Sequence, residues 1–270
     1  MKRNLIEIKY FETYYFANVI KNVLDEPFAF LRTLDEFFGE NNQLSFIEPF
    51  PKVSRLHSFI VWSIDTITYE DMGEIDKLQS GGKLWIDIAL NHYNIDNDNF
   101  LTYLSSQGKE LDTATDDDIY EYYQDLRVTE IYDTLLTRMS EEIFFILFLN
   151  RQLLHNFNKM VSLAIQSYDL DFGDTEMKRH FKKDGVLKRV NIPSWIQKAV
   201  FHRDRGICTN CQKDITGLIN IGNTENFDHI ISLEEGGLND VTNIQLLCET
   251  CNKSKGKRQQ LSSSHYEKWF

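Results

Sequence analysis

Apolar residues recur at mixed three- and four-residue intervals over Tyr10–Leu24 and again over Phe28–Phe38, the spacing that gives a helix one oily face. The same pattern continues to about residue 177, with turn signals at Glu48-Pro49-Phe50-Pro51, Gln79-Ser80-Gly81-Gly82 and Gln107-Gly108. The segment Asp112–Arg127 opens on Thr115-Asp116-Asp117-Asp118. Carboxylates there meet unpaired N–H groups and the positive end of the helix dipole, so this cluster is expected to cap a helix and not to bind metal. The longest pattern starts near Ser140-Glu141-Glu142 and runs to about Tyr168, with Phe144, Leu147, Phe148, Leu154, Phe157, Val161 and Ile165 on a broad apolar surface. As one helix it would be about 40 Å long, the spine of a bundle or a dimer interface. His57, His92 and His155 have no ligand-like neighbour at useful spacing and are expected to be structural or surface residues.

Beyond the acidic, Gly173-containing break at Asp169–Asp174 the pattern changes. Pro193–Arg205 predicts a helix, with Pro193 in its first turn and Gly206 ending it. Asn226–Ile231 predicts a strand, Gly236-Gly237 a loop, Ile244–Leu247 a second strand introduced by Asn243, and a polar helix starts near Asn252. The expected fold is a mainly α N-terminal domain over 1–177, a basic linker over 178–191 and a small α+β domain over 192–270.

Charge separates the two parts further. The net charge of -12 is divided unevenly: residues 1–177 hold 14 Lys+Arg against 31 Asp+Glu, and the rest of the chain carries a net +5. An acidic regulatory or partner-facing half joined to a basic half able to meet phosphates is the implied arrangement. The 42% hydrophobic content excludes a disordered chain. Glu7, Lys9 and Glu12 interrupt any signal-peptide core, and the longest apolar run, Ile143–Leu149, is too short to span a bilayer. A cytoplasmic protein with no membrane association is expected.

All four cysteines fall in two C-x2-C pairs, Cys208/Cys211 and Cys248/Cys251, separated by 36 residues. In a reducing compartment this is metal-site spacing, and four thiolates make a closed tetrahedral zinc site of structural type. Between the pairs stand Asp228-His229, then Gly236-Gly237, Asn243, Leu246-Leu247-Cys248 and Cys251-Asn252-x-x-Lys255. Taken together over about residues 190–260, these elements resemble the zinc-containing branch of the HNH endonuclease family. The resemblance implies a ββα-metal fold and hydrolysis of DNA phosphodiesters, with RNA left open as substrate. It also implies a magnesium or manganese ion held by Asp228 and Asn252, with Asn243 bracing the loop and orienting the histidine. Where some members carry a histidine at the last signature position, this chain has Asn252.

His229 is the expected general base independently of the family, since an imidazole has the unperturbed pKa best suited to that work near neutrality. In ideal strand geometry Asp228 points away from His229, but a local twist or bulge at the strand end could turn both toward one metal pocket. Lys253, Lys255, Lys257 and Arg258 are expected to meet the nucleic-acid backbone, with His202, Arg203 and Arg205 as weaker candidates. The run Lys178-Arg179-His180-Phe181-Lys182-Lys183, followed by Lys188-Arg189, is either a solvated linker or a further backbone contact. His265 has no assigned task. A zinc module that only binds nucleic acid and recruits a partner is the competing possibility. Resemblance to restriction and phage-defence nucleases implies that residues 1–177 restrain the nuclease or dock it on a partner or a second copy.

Overall fold

The computed structural model describes residues 7–30, 34, 36–38, 47–71, 83–167, 178–183, 185–217, 226–256, 263 and 265. In chain order its helices are α1 (Thr13–Asp25), α2 (Arg55–Asp71), α3 (Trp85–His92), α4 (Phe100–Ser106), α5 (Asp116–Arg127), α6 (Glu130–Phe148), α7 (Arg151–Ser167), α8 (Ser194–Asp204) and α9 (Glu249–Lys255). The strands are β1 (Phe181–Lys183), β2 (Val186–Leu187), β3 (Phe227–His229) and β4 (Ile244–Leu246). The protein is mostly helical, with its strands confined to the C-terminal part. No helix among the described residues is long and apolar enough to cross a membrane.

The chain divides into two compact units, residues 1–18 with 59–145 and residues 19–58 with 146–270. The first is a helical unit with Phe16, Phe59, Ile60, Ile64, Tyr93, Phe100 and Tyr123 fully buried. Among its described residues one glutamate is deeply buried, Glu142, which accepts hydrogen bonds from the Lys9 N–H (2.6 Å), the Tyr10 N–H, the Thr13 hydroxyl and the Tyr93 hydroxyl (3.0 Å each). Such a donor set is what a carboxylate needs to be tolerated in a core. The acidic cluster at 115–118 caps α5: Thr115 Oγ1 accepts the Asp118 N–H, and the Asp118 carboxylate accepts the Thr115 N–H at 2.9 Å.

The single helix expected from 140 to 168 is two helices. Asn150 breaks it, because its side-chain oxygen accepts the Leu153 N–H at 3.1 Å and so starts α7 afresh. Pro27–Phe30 is a short 3-10 turn where a regular helix was expected. The turn at Gln79–Gly82 and the break at Asp169–Asp174 lie outside the described residues.

In the second unit β3 and β4 pair antiparallel in regular register, Phe227 with Leu246, Asp228 with Gln245 and His229 with Ile244. Helix α8 is bolted to this pair by a buried ion pair between neighbours in sequence. Arg203 grips the Asp204 carboxylate with two bonds of 2.8 Å and donates to the Ile244 carbonyl at 2.6 Å, while Asp204 accepts the Leu246 N–H at 3.0 Å. A buried carboxylate–guanidinium pair is tolerated when its remaining valences are met in this way. The basic run after residue 178 is an antiparallel hairpin: Phe181, Val186 and Leu187 are buried, Lys182 and Lys183 point outward, and Gly185 turns at φ +69°.

Candidate active site and metal cluster

The cysteine cluster is formed by two tight turns docked on β4. After α8 closes on left-handed Arg205, Gly206 turns at φ +68° in a spot where a Cβ would lie 2.3 Å from Thr216. The Cys208 N–H then bonds to the Lys213 carbonyl and the Thr209 N–H to the Leu246 carbonyl, both at 2.9 Å, which brings Cys208 and Cys211 to the C-terminal end of β4. Cys248 follows directly and Cys251 comes round on the first turn of α9. The four sulfurs all lie within 4.8 Å of one another and can hold a metal ion. Thiolates 2.3 Å from a tetrahedral zinc stand about 3.8 Å apart, and the Cys211–Cys248 separation is 3.7 Å. Burial opposes ionisation of the Cys248 thiol, but the Cys251 backbone N–H and the neighbouring sulfurs draw it down to about 7. A thiolate of this kind is what a soft cation takes up.

At the other end of the strand pair a cavity of about 300 Å³ opens between β3, the hairpin, the turn after β3 and the end of α9. Asp228, His229, Ser232, Glu234, Lys182, Arg189 and Lys255 line it, with Val186, Leu187 and Leu233 as its apolar wall. No bulge is needed to bring Asp228 and His229 together. The strand stops at His229 and the chain bends at Ile230-Ile231, so both neighbours reach the same cavity.

His229 is 2% exposed, and its Nε2 lies 3.2 Å from the Asn239 side-chain oxygen. The Asn239 amide nitrogen donates to the Lys188 carbonyl at 2.9 Å. That contact fixes which end of the amide faces the ring, so Nε2 carries the proton and Nδ1 the lone pair. Burial pushes the imidazole down to about 4, against the pull of the Asp228 carboxylate. The ring is therefore neutral at neutral pH, the state a proton acceptor needs.

Asn243 stands behind the site, fully buried. Its oxygen accepts the Ile231 N–H at 2.8 Å and its nitrogen donates to the carbonyls of Ile231 (3.0 Å) and Leu238 (2.9 Å), closing the turn that carries Ser232–Gly237. The packing is close enough that a Cβ on Gly237 would lie 2.0 Å from the Ile231 carbonyl oxygen. The far side of this loop is held by distant segments of the same unit. The Phe50 N–H donates to the Asn239 carbonyl (2.7 Å), the Arg55 N–H to the Asp240 carboxylate (3.0 Å), and Asn158 on α7 to the Thr242 hydroxyl (3.3 Å).

The cations divide into four groups. Lys255 is 3% exposed and turned inward, its ammonium donating to Asp228 Oδ2 at 2.6 Å and to the His229 carbonyl. Lys253 is exposed on α9 and paired with Glu249, and Lys257 and Arg258 lie outside the described residues. Arg203 is consumed by Asp204, whereas His202 and Arg205 are exposed. Lys182 and Lys183 both reach Glu234 at 3.1 Å, and Arg189 stands 3.9 Å from Asp228 Oδ1. Asn252 is half-buried on α9 and is not among the residues lining the cavity. Asn239 and Glu234 fall outside the sequence-based expectation; Asn239 stands with Asp240 as a polar pair between Leu238 and Val241, ten residues after His229.

Residues 208–258 match the family model described as HNH endonuclease. Neither the comparison with curated proteins nor that with solved structures gives a match.

Proposed function

From an HNH domain at residues 208–258, which points to a nuclease or a nucleic-acid-binding protein, we propose that the chain is a metal-dependent endonuclease hydrolysing DNA phosphodiesters, with RNA as the alternative substrate. The observation that carries this proposal is the held, neutral His229 beside the Asp228 carboxylate in a cavity rimmed with cations. The oxygen donors suit a hard divalent ion: the Asp228 carboxylate retains Oδ1 after Lys255 has taken Oδ2, and buried Ser232 Oγ has no hydrogen-bond partner. Asp228 would hold magnesium or manganese, which would supply charge neutralisation at the phosphoryl oxygens; Asn252 is a ligand by resemblance alone, since it does not line the cavity. His229 Nδ1 takes the proton of the attacking water as its oxygen bonds to phosphorus. The P–O3′ bond breaks with its electron pair on O3′, which is then protonated from solvent. Asn243 and Asn239 hold the histidine's loop and ring, and Lys182, Lys183, Lys253, Lys257 and Arg258 meet the backbone.

The cysteine cluster takes zinc in this proposal, as a structural ion. The net charge of -17 over residues 1–177 supports restraint by the acidic half or by a partner, and the defence effector in the cytoplasm is proposed from the resemblance noted in the sequence alone. One observation favours a second reading, a non-catalytic binding module: the Lys255 ammonium already neutralises Asp228. Cleavage of supercoiled plasmid by the full chain, with magnesium or manganese against EDTA, separates the two. Metal-dependent nicking that His229→Ala lowers by about 10²- to 10⁴-fold is expected. A zinc-loaded wild type that binds DNA and leaves it intact under every metal would count against an unrestrained nuclease and in favour of the binding module.

A further inference from the structure

Among the described residues three cations line the cavity, and two of them are committed to short contacts, Lys182 with Glu234 and Lys255 with Asp228. The third is Arg189. Its side chain is 71% exposed and its guanidinium stands 3.9 Å from Asp228 Oδ1, beyond hydrogen-bond distance. The backbone beneath it is held firmly: the Lys188 N–H donates to the His180 carbonyl at 2.8 Å, and the Lys188 carbonyl accepts from Asn239, the residue that holds His229. The hairpin ahead of it is anchored by buried Val186 and Leu187. One amide thus ties the segment carrying Arg189 to the imidazole, and the arginine lies nineteen positions outside the segment that matches the family model.

We propose that Arg189 is a catalytic residue that grips the non-bridging oxygens of the scissile phosphate and stabilises the charge that builds there in the transition state. The proposal rests on the nuclease reading of the same cavity. As the water oxygen bonds to phosphorus and before P–O3′ breaks, the phosphoryl oxygens carry more negative charge than in the substrate. A guanidinium fork matches two of those oxygens at once, which a lysine ammonium cannot do. Its weak engagement with Asp228 leaves little to be broken when a phosphate enters. A donor directed at developing charge acts on turnover more than on binding.

The test compares Arg189→Ala and Arg189→Lys with wild type as full-length, zinc-loaded chains, using single-turnover cleavage of a DNA duplex in magnesium and duplex affinity by fluorescence anisotropy in calcium. The expected result is a fall in the cleavage rate of about 10²- to 10³-fold for Arg189→Ala. Affinity should change less than about threefold, Arg189→Lys should fall between, and millimolar guanidinium should restore part of the Arg189→Ala rate but none of the His229→Ala rate. Unchanged cleavage by Arg189→Ala beside an active wild type would overturn the role of Arg189 alone, as would a loss confined to affinity without guanidinium rescue. An inactive wild type would overturn the nuclease reading and this one with it.

Discussion

At one end of β4 the chain runs straight into Cys248 and the cysteine cluster; at the other, Ile244 and Asn243 lead back to the loop that holds His229. The cluster is local, since two turns of the form C-x2-C, one after α8 and one at the start of α9, bring every ligand. The cavity is not. Asp228 and His229 come from β3, Lys182 from the hairpin and Arg189 from just beyond it, Lys255 from α9, and Asn239 from a loop whose outer side is held by Phe50, Arg55 and Asn158. A site whose ligands are close in sequence can be read from spacing. One whose walls come from separate segments, and whose supporting loop is held from as far as 185 positions away, the separation of Arg55 from Asp240, can be read only where a motif happens to include its residues.

The largest effect should come from the local site. Cys248→Ser, or stripping zinc with a strong chelator, should remove the metal and the cooperative thermal transition of the second unit, because structural zinc contributes about 10–16 kcal/mol of apparent binding free energy in small domains. Cleavage should be lost with it. Zinc content by atomic absorption alongside a calorimetric trace checks this, and an unaltered transition after complete zinc removal would mean that the cluster does not brace the fold. His229→Ala should leave both the zinc and the transition in place, which separates the two ends of β4.

Asn239→Ala should have an intermediate effect. Its removal frees the imidazole from its tautomer-fixing bond and detaches the Lys188 carbonyl, so the rate should fall about 10- to 100-fold, as is usual when the group that orients a functional histidine is lost. Zinc content should not change. A rate equal to wild type would show that the histidine is positioned by its strand alone.

The legibility of the sequence follows the same division. Cys208, Cys211, Cys248 and Cys251 were visible because metal ligands on tight turns must fall at fixed intervals, and the α5 cap at Thr115 because capping is a contact over three residues. The break at Asn150 was missed because the apolar period continues across it: hydrophobic spacing is blind to a side chain that captures a backbone N–H. Lys255 was read as a surface cation because it follows Lys253 in a polar helix, yet α9 turns it inward onto Asp228. Helical phase decides which lysine meets solvent, and over a helix as short as Glu249–Lys255 the pattern offers too few apolar residues to set that phase.

The smallest effect should come from the rim. Lys182 and Lys183 share one carboxylate, and their hydrogen bonds hold the Glu234 carboxyl below its usual range. Both side chains are more than half exposed, so their pairing with Glu234 contributes little to stability. What they contribute is positive charge beside the cavity, Lys182 on its wall and Lys183 next to it on Glu234, and a phosphate backbone arriving there would exchange Glu234 and counterions for its own oxygens. Replacing both with alanine should therefore weaken DNA binding severalfold and lower the slope of log affinity against log salt by about 1–2. Turnover at saturating DNA should fall by less than about twofold, since these amines are held to Glu234 and not aimed at the histidine. An unchanged salt slope would place the backbone elsewhere on the unit. A collapse of turnover at full saturation would mean that the hairpin positions the reacting phosphate, and the rim would then belong with the centre it surrounds.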